Sequence, residues 1–131
     1  VVTTVHGGGG RFAHRRIAFL SQRRFPIEMQ ISMQQVALAF PIVVFAHKLE
    51  DNTRKVMDIS ECIVHDDGEL EYRTLYRYKI HSNEYVDGVF HIVGEFIQEN
   101  SPSESLRSKL LRGGIPQELL KRFERREVTT V

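Results

Sequence analysis

The sequence predicts an α/β fold with an antiparallel hairpin at its centre, and three observations predict it. "LEYRTLYRYKI" (70–80) alternates strictly after the turn signal "HDDGE" (65–69), the mark of a strand in a hairpin. Apolar residues recur at helical spacing in two earlier segments, 11–22 and 29–40. After a polar stretch, "LRSKLLRGG" and "PQELLKRF" close the chain with two short helical patterns.

Taken in order, "VVTTV" (1–5) is β-branched and reads as a strand, with Gly7–Gly10 as the turn after it. A β-branched run at the start, without methionine, reads as a cut through a longer protein. From Arg11 to Gln22, Phe12, Ala13, Ile17, Phe19 and Leu20 fit one amphipathic helix. Pro26 suits a first helical position, and Met29, Met33, Val36, Ala37 and Phe40 continue a second helix that Pro41 stops.

"IVVFAHKL" (42–49) is a continuous apolar run of the kind buried on both faces of a sheet. "EDNT" turns into the strand "RKVMDISECIV" (54–64). In the next strand Leu70, Tyr72, Thr74, Tyr76, Tyr78 and Ile80 share one face, expected to be the core face, and Glu71, Arg73, Leu75, Arg77 and Lys79 the other. "HSNEYVDG" (81–88) reads as turn, "VFHIVGEFI" (89–97) as strand and "QENSPSES" (98–105) as linker, with Ser103 the N-cap of a helix that ends at Gly113–Gly114. A last helix begins at Pro116 with Leu119, Leu120 and Phe123 on one side, and its basic end "KRFERR" complements the helix dipole. The second "VTTV" (128–131) makes no structural repeat with the first.

At 131 residues, 41% hydrophobic and 27% charged, the chain suits one globular core. No run approaches the ~20 apolar residues of a bilayer span, and no secretory leader is recognisable. The single cysteine, Cys62, lies in an apolar strand and reads as a buried, reduced thiol. Together these features are those of a cytoplasmic protein. Charge is uneven: residues 1–48 hold six Lys/Arg against one acid, Glu28, a balance of +5, and the remainder carries −4.

The chemistry-bearing motifs are few. A phosphate loop needs Gly-x-x-x-x-Gly-Lys-Ser/Thr, and no Gly-Lys pair exists here. "HGGGGR" gives no dinucleotide fingerprint either, because the third glycine would fall at Ala13. What is left is a strand leading through glycines to a helix start, which serves equally as a surface turn or as an anion seat beside Arg11. The six histidines have no metal-ligand spacing, and the pairs Glu50-Asp51 and Asp66-Asp67 fall in turns where solvation accounts for them. Arg11, Arg15, Arg16, Arg23 and Arg24 form a basic cluster with nucleic-acid binding as one reading.

The order of "TTVH" (3–6), "PIEMQ…QQVALAF" (26–40), "DNTRKVMDISE" (51–61) and "LYRYKI" (75–80) resembles the C-terminal portion of CpaF/TadA-type ATPases of type II/IV secretion and pilus assembly. The resemblance covers nearly the whole chain. It implies the last part of a RecA-like NTPase sheet with its His box (1–49), a hairpin and further strand (50–97) and C-terminal helices (98–131). It also implies His6 as a sensor of the terminal phosphate, with Thr3, Thr4, Arg11 and Arg16 near the nucleotide. The parent would bind ATP and Mg2+, form a hexamer, and act with a platform protein at the inner face of the cell membrane.

Two departures accompany the likeness: four glycines follow His6 where the family has small and polar residues, and Pro41 stands where it has Asp. Walker A and Walker B elements are not among these residues. The expectation is therefore a segment inactive alone and without a cofactor of its own. The alternatives are a non-catalytic interaction module of the same fold and a basic-surface nucleic-acid binder.

Overall fold

The computed structural model describes residues 2–124. Helices α1 (Gly10–Gln22) and α2 (Met29–Ala39) precede four strands, β1 (Ile42–Lys48), β2 (Arg54–Val64), β3 (Leu70–Val86) and β4 (Val89–Gln98), and helices α3 (Glu104–Arg112) and α4 (Gln117–Lys121) follow. The architecture is mixed α/β: one antiparallel sheet in the order β1-β2-β3-β4, with α1 and α2 packed together and against β1 and β2.

Each strand connection is built by turn chemistry. Between β1 and β2 the Asp51 carboxylate accepts from the Thr53 amide at 2.9 Å and hydroxyl at 2.6 Å, while Asn52 takes a left-handed φ of 66°. Those bonds hold the exposed Asp51 carboxyl below its ordinary pKa. Gly68 (φ 87°) makes the β2–β3 turn, where Asp67 accepts from the Glu69 amide. Asp87 and Gly88, both at positive φ, make the two-residue β3–β4 turn.

Several elements differ from the sequence expectation. Residues 2–5 carry no strand, because no neighbouring strand among the described residues pairs with them. The run 42–48 is an antiparallel edge strand with Ile42 and Val44 exposed, not one covered on both faces. Pro26 lies before α2, which starts at Met29. β3 continues through "HSNEYV" to Val86, so His81 belongs to a strand rather than a turn.

The tyrosine face is divided by a bulge. Tyr76 pairs with Ile59 and Thr74 with Ser60, leaving Leu75 as the extra residue. Tyr72 therefore shares a face with Cys62 and Ser60, whereas Tyr76 turns to the opposite face and stacks on Phe96. Leu75, expected on the polar face, is buried. Its carbonyl accepts from the amides of Glu99 (2.8 Å) and Asn100 (3.4 Å), and the Asn100 side chain donates to Thr74 O at 2.8 Å. The polar stretch 98–105 is thus bound to the sheet rather than a loose linker.

That stretch ends at a cap. Ser103 accepts from the Leu106 amide, as expected, and its own amide and hydroxyl donate to the buried Glu61 carboxylate at 2.6 and 2.8 Å. A β2 carboxylate thereby fixes the start of α3 and meets its positive end. In α4, Leu120 is buried and Leu119 exposed, while Phe123, expected on the same helix face, follows the end of the helix and is exposed; the expected C-terminal "VTTV" and the end of "KRFERR" lie outside the described residues. No helix among the described residues is long and apolar enough to cross a membrane.

At Gly94 in β4, an added Cβ would lie 2.5 Å from the Lys79 carbonyl oxygen and 2.8 Å from the Tyr78 ring. Gly94→Ala should therefore lower the urea unfolding midpoint by the equivalent of about 1–3 kcal/mol with an unchanged slope. An unaltered midpoint would show that the β3–β4 ladder is not so tightly closed there.

Candidate functional site

The glycine run is shaped by what it touches. Gly9 has a φ of 127° and supplies the carbonyl that receives the Ala13 amide, so it starts α1 in a conformation closed to most side chains. Gly10 faces the sheet: a Cβ there would lie 2.9 Å from the Ser60 hydroxyl and 3.0 Å from the Tyr72 ring. The glycines thus let the start of α1 lie directly on β2 and β3.

One turn further along, His14 is fully buried. Its Nε2 is 2.8 Å from the Phe40 carbonyl oxygen and its Nδ1 2.9 Å from the Tyr72 hydroxyl. A carbonyl only accepts, so Nε2 carries the proton, Nδ1 is the acceptor, and the Tyr72 hydroxyl donates to it. The Cys62 thiol interacts with the same tyrosine hydroxyl. Arg11 lies over the Tyr72 ring at 5.0 Å, a cation–π contact.

Burial controls the titration of all three groups. Desolvation lowers the His14 pKa from its usual 6.5, only partly opposed by the Phe40 carbonyl. Desolvation also raises Cys62 and Tyr72, so thiol and phenol stay protonated at neutral pH. Cys62 is buried and unpaired, as its strand context predicted. His14 and Tyr72 were legible as a helix residue and a strand residue, but their pairing across 58 positions carries no local signal.

Beside this network lies a cleft of about 710 Å³, walled on one side by residues 2–7 and on the other by Phe40–Ala46, with His14 and Ile17 at its base. Thr3, Thr4 and His6 all line it. Arg11 and Arg16 do not: Arg11 is held over Tyr72, and Arg16 is exposed on the outer side of α1. The backbone of residues 2–8 makes no hydrogen bond among the described residues, and β1 pairs only with β2, so the two walls face each other with unpaired backbone.

The polar side chains on these walls are two threonine hydroxyls and one imidazole, set among valines, Ile17, Phe40 and Phe45, and among the described residues no Lys or Arg lines the cleft. These residues by themselves do not fit a nucleotide triphosphate, whose charge calls for cationic side chains and convergent amides. Nor do the described residues gather three or more His, Cys, Asp or Glu as a metal site would. No protein-family model matches the chain, and no curated protein matches it.

Two outcomes test the network. Tyr72→Phe leaves the buried His14 Nδ1 without a donor and should cost about 1–3 kcal/mol in urea unfolding. In the unsubstituted protein, the folded-state pKa of His14 lies below 6.5, so the unfolded chain takes up a proton first as pH falls. Its contribution to stability should be complete above 6.5 and decline as pH drops below that value, measured as a falling unfolding midpoint.

Proposed function

We propose that this chain is the C-terminal part of a secretion or pilus-assembly ATPase, in which residues 2–6 and β1 are members of a RecA-like sheet whose intervening strand lies outside these residues. The observation that carries the reading is the ordered likeness of "TTVH", "PIEMQ…QQVALAF", "DNTRKVMDISE" and "LYRYKI" to that family. The cleft supports it physically: two walls with unpaired backbone offer a seat for one more strand. Exposed apolar side chains on Ile42 and Val44, beside that seat, are what such a strand would help to cover.

On this reading the phosphate-holding loop and the magnesium-binding acid belong to the missing segment, and the parent assembles as a hexamer on a membrane platform. His6 reports the terminal phosphate from the cleft wall, with Thr3 and Thr4 beside it. Arg11, engaged with Tyr72, and Arg16, on the outer surface, hold no part in the site as this chain presents it. The rival reading, an interaction module that no longer uses nucleotide, is favoured by the lack of a cation on the cleft walls.

Turnover in the protein carrying the upstream segment decides between them. His6→Ala should lower ATP hydrolysis at least ten-fold, about 1.4 kcal/mol of barrier, without altering the unfolding midpoint. Unchanged turnover would favour the interaction module, and robust hydrolysis by the 131-residue chain alone would overturn the division of labour proposed here.

A further inference from the structure

Arg15, Arg16, Arg23 and Arg24 have no part in the network or the cleft. All four are exposed, and none has an ion-pair partner among the described residues. The first acid in the sequence is Glu28, so with Arg11 the opening 27 residues carry five arginines and no countercharge. The same segment is strongly apolar: Phe12 is 64% exposed, Phe19 57%, Leu20 46%, Phe25 64% and Ile27 38%.

Helical spacing places these groups together. Positions 12, 15, 16 and 19 recur at intervals of three and four and lie on one side of α1, opposite the buried Ala13, His14 and Ala18. Leu20 flanks that side, and Arg23, Arg24, Phe25 and Ile27 continue beyond the end of the helix. The surface is therefore guanidinium groups interleaved with phenylalanine and aliphatic side chains.

We infer that this outer face of α1, with the turn after it, docks on an anionic lipid bilayer. Arginines pair with lipid phosphates at headgroup depth, and Phe and Leu side chains enter the boundary with the acyl chains; clustered basic residues on an amphipathic helix have that affinity. Nucleic acid shares the charge requirement and finds rings in Phe12, Phe19 and Phe25, but it makes no use of the exposed aliphatic Leu20 and Ile27, which an acyl-chain boundary covers. A second copy of the chain is a poorer match as well. The densest acidic stretch, Asp66 to Glu71, has no large apolar side chain exposed within it to meet the phenylalanines. The inference rests on no part of the nucleotide reading, and either can fail without the other.

Vesicle co-sedimentation of the 131-residue chain tests it, with phosphatidylcholine vesicles against vesicles also containing phosphatidylglycerol. Binding should appear only on the anionic vesicles and be lost at about 1 M salt, where charges are screened beyond roughly 3 Å. Replacing the four free arginines by glutamine (R15Q/R16Q/R23Q/R24Q) should lower partitioning at least about ten-fold, and so should F12S/F19S. The sequence contains no tryptophan, so Phe19→Trp gives a single reporter whose emission should shift to the blue on the anionic vesicles. Equal binding to both vesicle types, or full retention by either multiple variant, would overturn the inference. So would binding of a single-stranded oligonucleotide, or self-association through the arginines, in the absence of vesicle binding.

Discussion

The imidazole of His14 joins three parts of the chain that sequence places far apart: α1, which carries it, the end of α2, whose Phe40 carbonyl it bonds, and β3, whose Tyr72 hydroxyl bonds it. A buried polar ring with one nitrogen unpaired would cost about as much as several such contacts contribute, so the three elements are held to a single arrangement. The position of Gly10 against Ser60 and Tyr72 follows from that arrangement, and so does the base of the cleft, where His14 and Ile17 lie between the two walls.

A polar contact has this weight because the apolar core around it is built of small residues. Ala13, Ala18 and Ala37 are buried between helices and sheet, and each contributes little more than one methyl group, about 0.8 kcal/mol. Val36, Leu49, Leu75, Leu106 and Leu120 are buried as well, but several other large apolar side chains, Phe12, Phe19 and Leu38 on the helices and Val93 and Phe96 on β4, are largely exposed. Small residues allow α1 and α2 to approach each other and the sheet closely, but they leave directional bonds to set the register between the layers. On the β2 side, Glu61 does the same for α3 by accepting two bonds from Ser103.

Much that depends on neighbours in sequence was legible. The hairpin between β2 and β3, the helix from the glycine loop to Gln22, the Ser103 cap and the buried thiol all follow from period, turn residues and local hydrogen bonding. Three features escaped that reasoning because their cause is distant. The bulge at Leu75 is stabilised by Glu99 and Asn100, some two dozen positions later, and it reverses the faces that strict alternation assigns to Tyr76 and Tyr78. Gly10 is required by Ser60 and Tyr72, which lie far from it in sequence. Of the residues proposed for the site, Thr3, Thr4 and His6 share the cleft wall, while the two arginines lie away from it, one over a tyrosine ring and the other on the exposed outer face of α1.

The composition of β1 bears on what the cleft is for. Sheets protect their edges with lysine, proline, bulges or short strands, because a bare row of amides and carbonyls recruits other chains. Here Ile42 to Ala46 presents five apolar residues in succession at the edge, and charge enters only at Lys48. The irregularity between Phe45 and Ala46 lies in the pairing with β2, not on the open side. Such a strand is suited to the interior of a sheet, where its backbone would be paired on both edges and its apolar run covered on both faces. Residues 2–6, on the other wall of the cleft, have the same need, since their backbone has no partner among the described residues. One additional strand between these walls would answer both requirements at once, and it would bring the loop at its own end to the same side as His6 if it ran parallel to residues 2–6. On the reading proposed above, that unmet pairing on both walls, more than any single side chain, is what speaks for one further strand in the cleft.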